Sequence, residues 1–349
     1  MRRLIFVTQK VDPSHPALAA TVSKISALAR RVDEVVVFAD GAVPGVLPPN
    51  CRVRRFRAWS KPGRGARFVG QLARELARTP KPLAVVAHMC PIYAVLAAPS
   101  TKARRVPLVL WYTHWHASRT LVAAERLASA VVSVDRRSFP LPSTKLTAIG
   151  HGIDVSEFAC VASDGDAERL HALALGRYSP AKGLETVVRA VAQAAQTGVD
   201  VGLEVRGPVL SGLEREHRAT LRRLVEALGV GDRVRLHDAL PRSDVPELFA
   251  RSDVLVNNMR AGAPDKVVYE AAASCLPVIA SNPVFDRLLD EAFCFDRESA
   301  DQLADRLAAF ARLDATARES VGRALRVQVE RDHSVDGWAE RLLEVAETT

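Results

Sequence analysis

Short apolar runs alternate along the whole chain with segments of helical periodicity, and this alternation restricts the possible folds most strongly. A strand, a loop, a helix and a further strand in succession predict parallel α/β units, with loops at the carboxyl ends of the strands. The first series predicts one doubly wound domain over residues 1–160, with a helix over residues 17–31. Its predicted strands cover residues 4–8, 35–38, 53–56, 83–87, 108–111, 130–134 and 146–148.

A second series of the same kind follows a small, polar stretch at residues 161–168, which we interpret as a linker. It predicts a second doubly wound domain over residues 169–332, and a further helical pattern occupies residues 333–349. Two such domains face each other across a cleft in many α/β proteins, so this outline does not by itself give a function. The predicted strands of the second domain cover residues 172–175, 201–205, 234–236, 254–256 and 277–280.

Bulk properties exclude several classes of protein. The 349 residues suffice for two domains that each bury a core, and no apolar run approaches the roughly 20 residues of a transmembrane helix. The apolar run near the N-terminus is too short for a signal peptide. Five scattered cysteines show no metal or disulfide spacing, which predicts a reducing, cytoplasmic setting. A net charge of +8 favours anionic partners.

One stretch has the chemistry that a diphosphate requires. Residues 175–183 read L-G-R-Y-S-P-A-K-G and lie between a predicted strand and a predicted helix. Arg177 offers a planar fork for two phosphate oxygens, and Lys182 adds a point charge. The helix that begins near Gly183 adds its N-terminal amides. A turn with surface basic residues is the alternative.

A second stretch, A-G-A-P-D-K-V-V-Y-E-A-A-A-S-C-L-P-V-I-A-S-N at residues 261–282, predicts a loop, a short helix and a buried strand. Glu270 lies at the edge of the apolar face of that helix. Lys266 lies at its start and could add charge for the β-phosphate. Asp265 could pair with Lys266, cap the helix or stand in for another carboxylate.

Both stretches resemble motifs of the retaining family 4 glycosyltransferases (glycosyl transferases group 1), which have the GT-B fold of two Rossmann-like domains. The first resembles the motif G-R-x-x-x-x-K-G, and the second resembles E-G-x-G-x-x-x-x-E-A-x-A-x-G-x-P-V. In the second motif Glu270 matches the later glutamate, but Gly262 stands where the earlier one is expected. Cys275 replaces a glycine.

The resemblance implies a site for a nucleotide-sugar donor in the second domain. It places Arg177, Lys182 and Gly183 on the diphosphate and Glu270 on the ribose, where it would take part in catalysis. Gly207 resembles a residue of the loop that passes the nucleotide base. The resemblance also implies retention at the anomeric carbon without a bound metal. The last helix would cross back to the first domain, whereas the residues alone equally allow it to cap the second.

Candidate residues for the acceptor side lie in the first domain. The sequence W-Y-T-H-W-H after a predicted strand includes His114, which resembles a catalytic histidine of the family, and His116, its alternative. His88 also follows a strand. Further candidates are Lys10 and Asp12 in the predicted loop 9–16, and His151, which lies between two glycines in a segment that resembles the family's hinge. Structural roles for these histidines remain alternatives.

Residues 52–81 are strongly basic, with Glu75 as their only acid and aromatic residues interspersed. Such a segment would be attracted to an anionic bilayer. It favours a peripheral enzyme at the inner face of the membrane that uses a lipid-linked acceptor, and a solvated face is the alternative. Nucleic-acid binding is not expected, because no recognition motif accompanies the charge.

The sequence therefore predicts a nucleotide-sugar-dependent hexosyltransferase that acts on a glycan or a lipid-linked acceptor. A GT-B nucleotide-sugar epimerase is one alternative. A partner subunit that has lost catalysis is the other alternative, because Gly262 stands where the motif has its earlier glutamate.

Overall fold

A computed structural model of the chain describes residues 1–15, 18–160 and 169–349. The predicted linker at residues 161–168 lies outside the described residues. The chain divides into two compact units. Unit 1 comprises Met1–Asp154 with Asp332–Thr349, and unit 2 comprises Val155–Arg331.

The described part of unit 1 contains a parallel sheet of seven strands in the order β3-β2-β1-β4-β5-β6-β7. Strand β1 pairs with both β2 and β4, so the chain starts in the middle of the sheet and extends to each side in turn. The strands are β1 (Arg3–Val11), β2 (Glu34–Ala42), β3 (Cys51–Arg55), β4 (Val85–His88), β5 (Leu108–Trp111), β6 (Ala130–Ser133) and β7 (Leu146–Ala148).

The helices of unit 1 pack against this sheet through apolar faces. Phe38, Phe56, Phe68 and Tyr93 form a fully or largely buried aromatic group between sheet and helices, with Phe56 and Tyr93 ring centroids 4.8 Å apart. The C-terminal helix packs on the first helix within this unit. The helices are α1 (Thr21–Ala29), α2 (Lys61–Leu76), α3 (Pro91–Arg104), α4 (Arg119–Leu127) and α11 (Val335–Thr348).

Unit 2 has, in its described residues, a parallel sheet of five strands in the order β10-β9-β8-β11-β12. The order reverses between β8 and β11, and ligands of open α/β sheets bind at such a reversal, beyond the carboxyl ends of the strands. The strands are β8 (Leu170–Leu175), β9 (Val201–Arg206), β10 (Val234–His237), β11 (Val254–Asn257) and β12 (Val278–Ala280). The helices are α5 (Leu184–Gln196), α6 (Gly212–Ala227), α7 (Val245–Ala250), α8 (Lys266–Ala273), α9 (Ala300–Ala311) and α10 (Ala315–His333), whose last residues already belong to unit 1.

Strand β1 and helix α1 are among the elements whose bounds differ from the predicted ones. Strand β1 continues to Val11, because it keeps pairing with β2 as far as the partners Val11 and Ala42, so Lys10 lies in a strand and not in a loop. Helix α1 begins at Thr21, and its predicted start at residue 17 lies outside the described residues. No helix among the described residues is both long enough and apolar enough to span a bilayer.

Candidate functional site

The candidate site of unit 2 lies where β8 and β11 end. Each of these strands leads into a loop that places a charged residue at the carboxyl edge of the sheet, and helix α8 begins at the same edge. The sequence folds in this way because the strands are short, apolar and buried, while the residues that follow are polar or glycine.

Lys182 ends a single helical turn, Pro180–Lys182, and its side chain folds back over β8. Its Nζ donates to the carbonyl oxygen of Leu175 at 3.0 Å and also to Oδ2 of Asp265. Gly176 makes this path possible, because a Cβ there would lie 2.4 Å from Nζ. Gly176 also has a φ of +135°, a backbone conformation that glycine adopts readily. The glycine therefore positions the lysine.

Asp265 immediately precedes α8 but does not cap it, since its side chain makes no capping hydrogen bond. Its Oδ2 instead accepts hydrogen bonds from Lys182 and from Nδ2 of Asn257, the latter at 2.7 Å. Of the three roles that the sequence left open, capping is therefore wrong. The partner of Asp265 is Lys182, not Lys266.

Glu270 is 5% exposed and lies on α8. Its Oε1 accepts hydrogen bonds from Nη1 of Arg242 at 2.7 Å and from Nζ of Lys266, one helical turn earlier, at 2.6 Å. In the part of the chain that the structure describes, both contacts use Oε1 and leave Oε2 without a protein donor. The carboxylate is thus fixed through one oxygen, and the other can accept from a ligand.

Arg242 is the residue of this site that the sequence did not single out. Burial opposes its charge, but Glu270 and Glu157 outweigh that effect and raise its pKa. Its Nη2 donates to Oε2 of Glu157 at 2.7 Å. Arg242 lies 28 positions before Glu270, in the short helical turn Arg242–Asp244 that precedes α7, so no local pattern relates the two residues.

Gly183 and Gly207 allow close backbone packing around the site. Gly183 has a φ of +55°, and a Cβ there would lie 2.4 Å from Nδ2 of Asn258, which donates to the Gly183 carbonyl oxygen. A Cβ at Gly207 would lie 1.9 Å from the carbonyl oxygen of Gly176. Gly207 therefore brings the loops after β8 and β9 into contact.

Arg177 lies against a different partner from the other candidates. Its Nε is 3.0 Å from Oε1 of Glu214, a buried residue of α6, while 54% of the arginine side chain is exposed. At the start of α8 the structure therefore pairs Lys182 with Asp265 and Lys266 with Glu270. Arg177 is paired with Glu214 instead.

The candidate residues of unit 1 occupy two kinds of environment. Lys10 and His116 are exposed, and Asp12 and His114 are partly exposed. Nδ1 of His114 accepts from the backbone amide of His116 at 3.0 Å, and burial together with the nearby His116 lowers the pKa of His114.

His88 and His151 are buried, at 3% and 7% exposure. His88 lies among Thr8, Phe6 and Trp111, and burial together with the charge of Lys24 holds its pKa well below the ordinary value. An acceptor cannot contact a ring so enclosed, so the expectation for His88 needs correction. The backbone amide of His151 donates to Nδ1 of His333 within the same unit.

Within the basic stretch 52–81, some arginines surround the buried Glu75 and others belong to an exposed surface. Glu75 is 4% exposed and binds Arg52 through both carboxylate oxygens and Arg54 through one, with Arg3 and Arg78 also close. We name these five residues the Glu75 cluster. The exposed surface, which we name the Trp59 surface, consists of Trp59, Arg55, Arg57, Lys61 and Arg67.

The expectation that the cysteines form no disulfide is wrong. Cys160 and Cys275 form a disulfide with Cα atoms 5.0 Å apart. The two residues are 115 positions apart, so their spacing gave no indication of the pairing. Cys275 occupies the turn after α8 with a φ of +60°.

No group of three His, Cys, Asp or Glu side chains that could hold a metal ion occurs among residues 1–15, 18–160 and 169–349.

Comparisons with known proteins agree with this architecture. Residues 163–326 match the family described as glycosyl transferases group 1. Among solved structures, the chain is similar to Anabaena HepE in complex with UDP and glucose, with 18% identity, 100% of each chain covered and a TM-score of 0.78. No curated protein matches the chain.

Two further solved structures are similar over nearly their whole length. Sucrose-phosphate synthase from Thermosynechococcus elongatus shows 18% identity and a TM-score of 0.76, with 100% of this chain and 99% of that chain covered. A UDP-forming α,α-trehalose-phosphate synthase from Burkholderia xenovorans, in complex with glucose-6-phosphate, shows 15% identity and a TM-score of 0.71, with 99% and 100% covered. Residues 163–326 are thus similar to the glycosyl transferases group 1, and the similarity to these solved structures shows that the chain has the GT-B fold.

Proposed function

We propose that the protein transfers a sugar from a nucleotide-sugar donor to an acceptor, with retention at the anomeric carbon, and that unit 2 binds the donor. The observation that carries this proposal is the half-engaged carboxylate of Glu270. Its Oε1 is fixed by two cationic side chains and its Oε2 has no protein donor in the described part of the chain. Such a carboxylate suits the hydroxyl groups of a ribose, which donate hydrogen bonds to it.

The diphosphate is assigned to the cations beside this carboxylate. An ammonium group has three N–H donors, and Lys182 uses two of them, so one is left for a phosphate oxygen. Arg177 is anchored to Glu214 through Nε, which leaves its Nη groups for a second oxygen. Lys266 and the amides at the start of α5 add positive potential.

The charge that develops on the leaving diphosphate is then stabilised by fixed cations and amides. We propose that no metal ion takes part, so that EDTA leaves the rate unchanged. Anabaena HepE, whose fold is similar, has been solved in complex with UDP-glucose, which makes UDP-glucose a reasonable first donor to test.

We assign the acceptor to unit 1, with Lys10, Asp12, His114 and His116 as the residues that can reach a ligand. His114 is the proposed catalytic histidine of this set. Its lowered pKa favours a neutral ring at pH 7, and because Nδ1 accepts from the His116 amide, Nε2 is the nitrogen left to donate to a ligand. A glycan or a lipid-linked sugar is the acceptor class proposed.

The Trp59 surface supports the lipid-linked form of this proposal and a place at the inner face of the membrane. Trp59 is completely exposed, which is unusual for so large an apolar side chain, and basic residues lie on both sides of it in the sequence. An indole that enters the headgroup region and cations that meet anionic lipids would act together.

Vesicle sedimentation tests this part of the proposal. The protein should sediment with vesicles of phosphatidylglycerol and phosphatidylcholine but not with phosphatidylcholine alone, and Trp59→Ala should weaken that binding several-fold. Leu213→Ala removes an exposed apolar side chain from unit 2 and is the matched control. Equal binding of both vesicle types would exclude an electrostatic membrane surface.

Donor binding and turnover test the central proposal. A thermal-shift screen against UDP, GDP, ADP, CMP and TDP should reveal stabilisation by one of them. The matching nucleotide sugar should then be hydrolysed slowly without an acceptor, and a transfer product should keep the anomeric configuration of the donor. Lys182→Ala should abolish both stabilisation and hydrolysis, whereas Lys102→Ala, on a helix of unit 1, should change neither.

A partner subunit without catalysis is the second candidate, because Gly262 lacks a carboxylate and Asp265 already neutralises Lys182. Nucleotide binding with no turnover for any donor or acceptor would favour it. Conversion of the donor into an isomer would instead favour an epimerase.

A further inference from the structure

Asp265 places a negative charge directly beside the cation assigned to the donor diphosphate. This arrangement is unexpected for an anion site, since a carboxylate repels phosphate. Asp265 is not needed there to start α8, because it makes no capping hydrogen bond. A different reason for its position is therefore required.

The carboxylate is held firmly in this place. Asn257 is 3% exposed, and its Oδ1 accepts from the backbone amide of Met259 at 3.3 Å, which turns its Nδ2 towards Asp265. Lys182 is itself tied to Leu175 of β8. Asp265 thus connects the ends of β8 and β11, and rotation of its side chain would break two hydrogen bonds.

The second oxygen of the Asp265 carboxylate can act on a ligand through its charge. Both protein contacts fall on Oδ2, and Oδ1 has no protein donor among the residues that the structure describes. The side chain is 18% exposed, so it is partly desolvated and its charge is incompletely screened.

A donor and its product differ in charge at the position that this carboxylate would meet. In a nucleotide sugar the terminal phosphate is esterified and has one ionised oxygen. In the free nucleoside diphosphate that phosphate has a second ionisable oxygen, whose pKa is about 6, so the product is more negative at neutral pH. A fixed negative charge beside the phosphate site weakens the binding of the product more than that of the donor.

We propose that Asp265 is a specificity-determining residue that lets the site distinguish an intact nucleotide sugar from the free nucleoside diphosphate and promotes release of the product. This inference rests on the proposed function, since it requires a nucleotide-sugar site at Lys182. Asp265 also positions the Lys182 ammonium group, but its charge and not its hydrogen bond provides the discrimination.

Isothermal titration calorimetry on the full chain tests the inference. The ligands are UDP with UDP-glucose, GDP with GDP-mannose and ADP with ADP-glucose, and the quantity compared is the ratio of the two Kd values within the pair that binds. Asp265→Asn keeps an oxygen acceptor for Lys182 and removes the charge. It should tighten the diphosphate more than the sugar nucleotide and shift the ratio by about tenfold, or about 1.4 kcal/mol. Product inhibition in the hydrolysis assay should become stronger to the same degree.

Asp265→Ser removes the charge with a smaller side chain, and it should shift the ratio in the same direction even if the protein is less stable. Asp301→Asn makes the same change of charge on α9 and should leave the ratio unchanged. A ratio within twofold of the wild-type value in both Asp265 variants would overturn this inference alone. If the wild-type protein bound none of the five nucleotides of the thermal-shift screen, the proposed function would be overturned, and this inference with it.

Discussion

Two buried glutamates of similar exposure are each surrounded by basic side chains, one in each unit, and they differ in how completely their oxygens are used. Glu75 of α2 receives Arg52 and Arg54 on Oε1, and Arg52 on Oε2. Glu270 of α8 receives Arg242 and Lys266 on Oε1 alone. The first carboxylate is saturated by protein donors, whereas the second has capacity left.

This difference indicates that Glu75 stabilises the fold and that Glu270 is suited to a ligand. Burial opposes the ionisation of Glu75, but hydrogen bonds and charge from Arg52 and Arg54 outweigh it and lower the pKa to about 2. A carboxylate satisfied to this extent has no reason to attract a ligand. Glu270 lies at the carboxyl edge of a parallel sheet, where ligands bind in open α/β folds.

The largest expected difference concerns donor binding. Glu270→Gln should weaken the binding of the nucleotide sugar by about 100-fold, because a neutral amide replaces a charged acceptor of hydrogen bonds from the ribose. Glu75→Gln should leave the Kd of the folded protein unchanged. Calorimetric titration of both variants measures this contrast, and Glu298→Gln on the surface of unit 2 is the control. Equal losses in the two glutamine variants would remove the functional distinction between these residues.

The reverse contrast should appear in stability. Glu75→Gln leaves several arginines without their shared counter-charge, and we expect it to lower the free energy of unfolding of unit 1 by about 3 kcal/mol. Glu270→Gln should cost less, since Lys266 and Arg242 are partly exposed and can turn to water or to Glu157. Urea unfolding followed by circular dichroism measures both values. A more severe loss for Glu270→Gln would show that its cluster is structural.

The pH dependence of stability should separate the wild-type protein from Glu75→Gln. The pKa of Glu75 is lowered by folding, so its contribution is fully present above the unfolded value of 4.5 and is lost as the pH falls towards about 2. The difference in free energy of unfolding between the wild-type protein and Glu75→Gln should therefore be constant from pH 7 to pH 5 and become smaller at lower pH. Unfolding curves at several pH values check this trend, which an undiminished advantage at pH 3 would contradict.

The sequence predicted the elements that hold Lys182 and Glu270 far better than it predicted the Glu75 cluster, for physical reasons. Lys182 and Glu270 each lie in a local pattern of strand end, turn and helix start, which short-range rules describe well. The Glu75 cluster instead collects residues from β1, β3, α2 and the segment after α2, and only the tertiary contact between β3 and α2 brings Arg52 and Arg54 to Glu75. The basic stretch therefore suggested one continuous exposed patch, although part of it surrounds a buried acid.

The same reasoning explains what was missed within the site. The pairing of Asp265 with Lys182 spans 83 positions, and Arg242 contacts Glu270 from the turn that precedes α7. Local rules therefore allowed a cap at Asp265, which has the position of a cap residue but directs its carboxylate elsewhere. The disulfide between Cys160 and Cys275 is of the same long-range kind.

The smallest expected effects concern the removal of one cation beside each glutamate, namely Arg54 beside Glu75 and Arg242 beside Glu270. Arg54→Ala should cost only about 0.5–1 kcal/mol of stability, because 42% of the Arg54 side chain is exposed and Arg52 still binds Glu75 through both oxygens. Arg242→Ala should likewise change stability little, yet it should weaken donor binding several-fold, because Glu270 then keeps only the flexible Lys266 as an anchor. Urea unfolding and calorimetric titration of the same two variants measure the pair of effects. If Arg242→Ala left the Kd of the nucleotide sugar unchanged, the fixed orientation of Glu270 would have no part in binding. A large loss of stability from Arg54→Ala would mean that Arg52 alone cannot satisfy the buried carboxylate of Glu75.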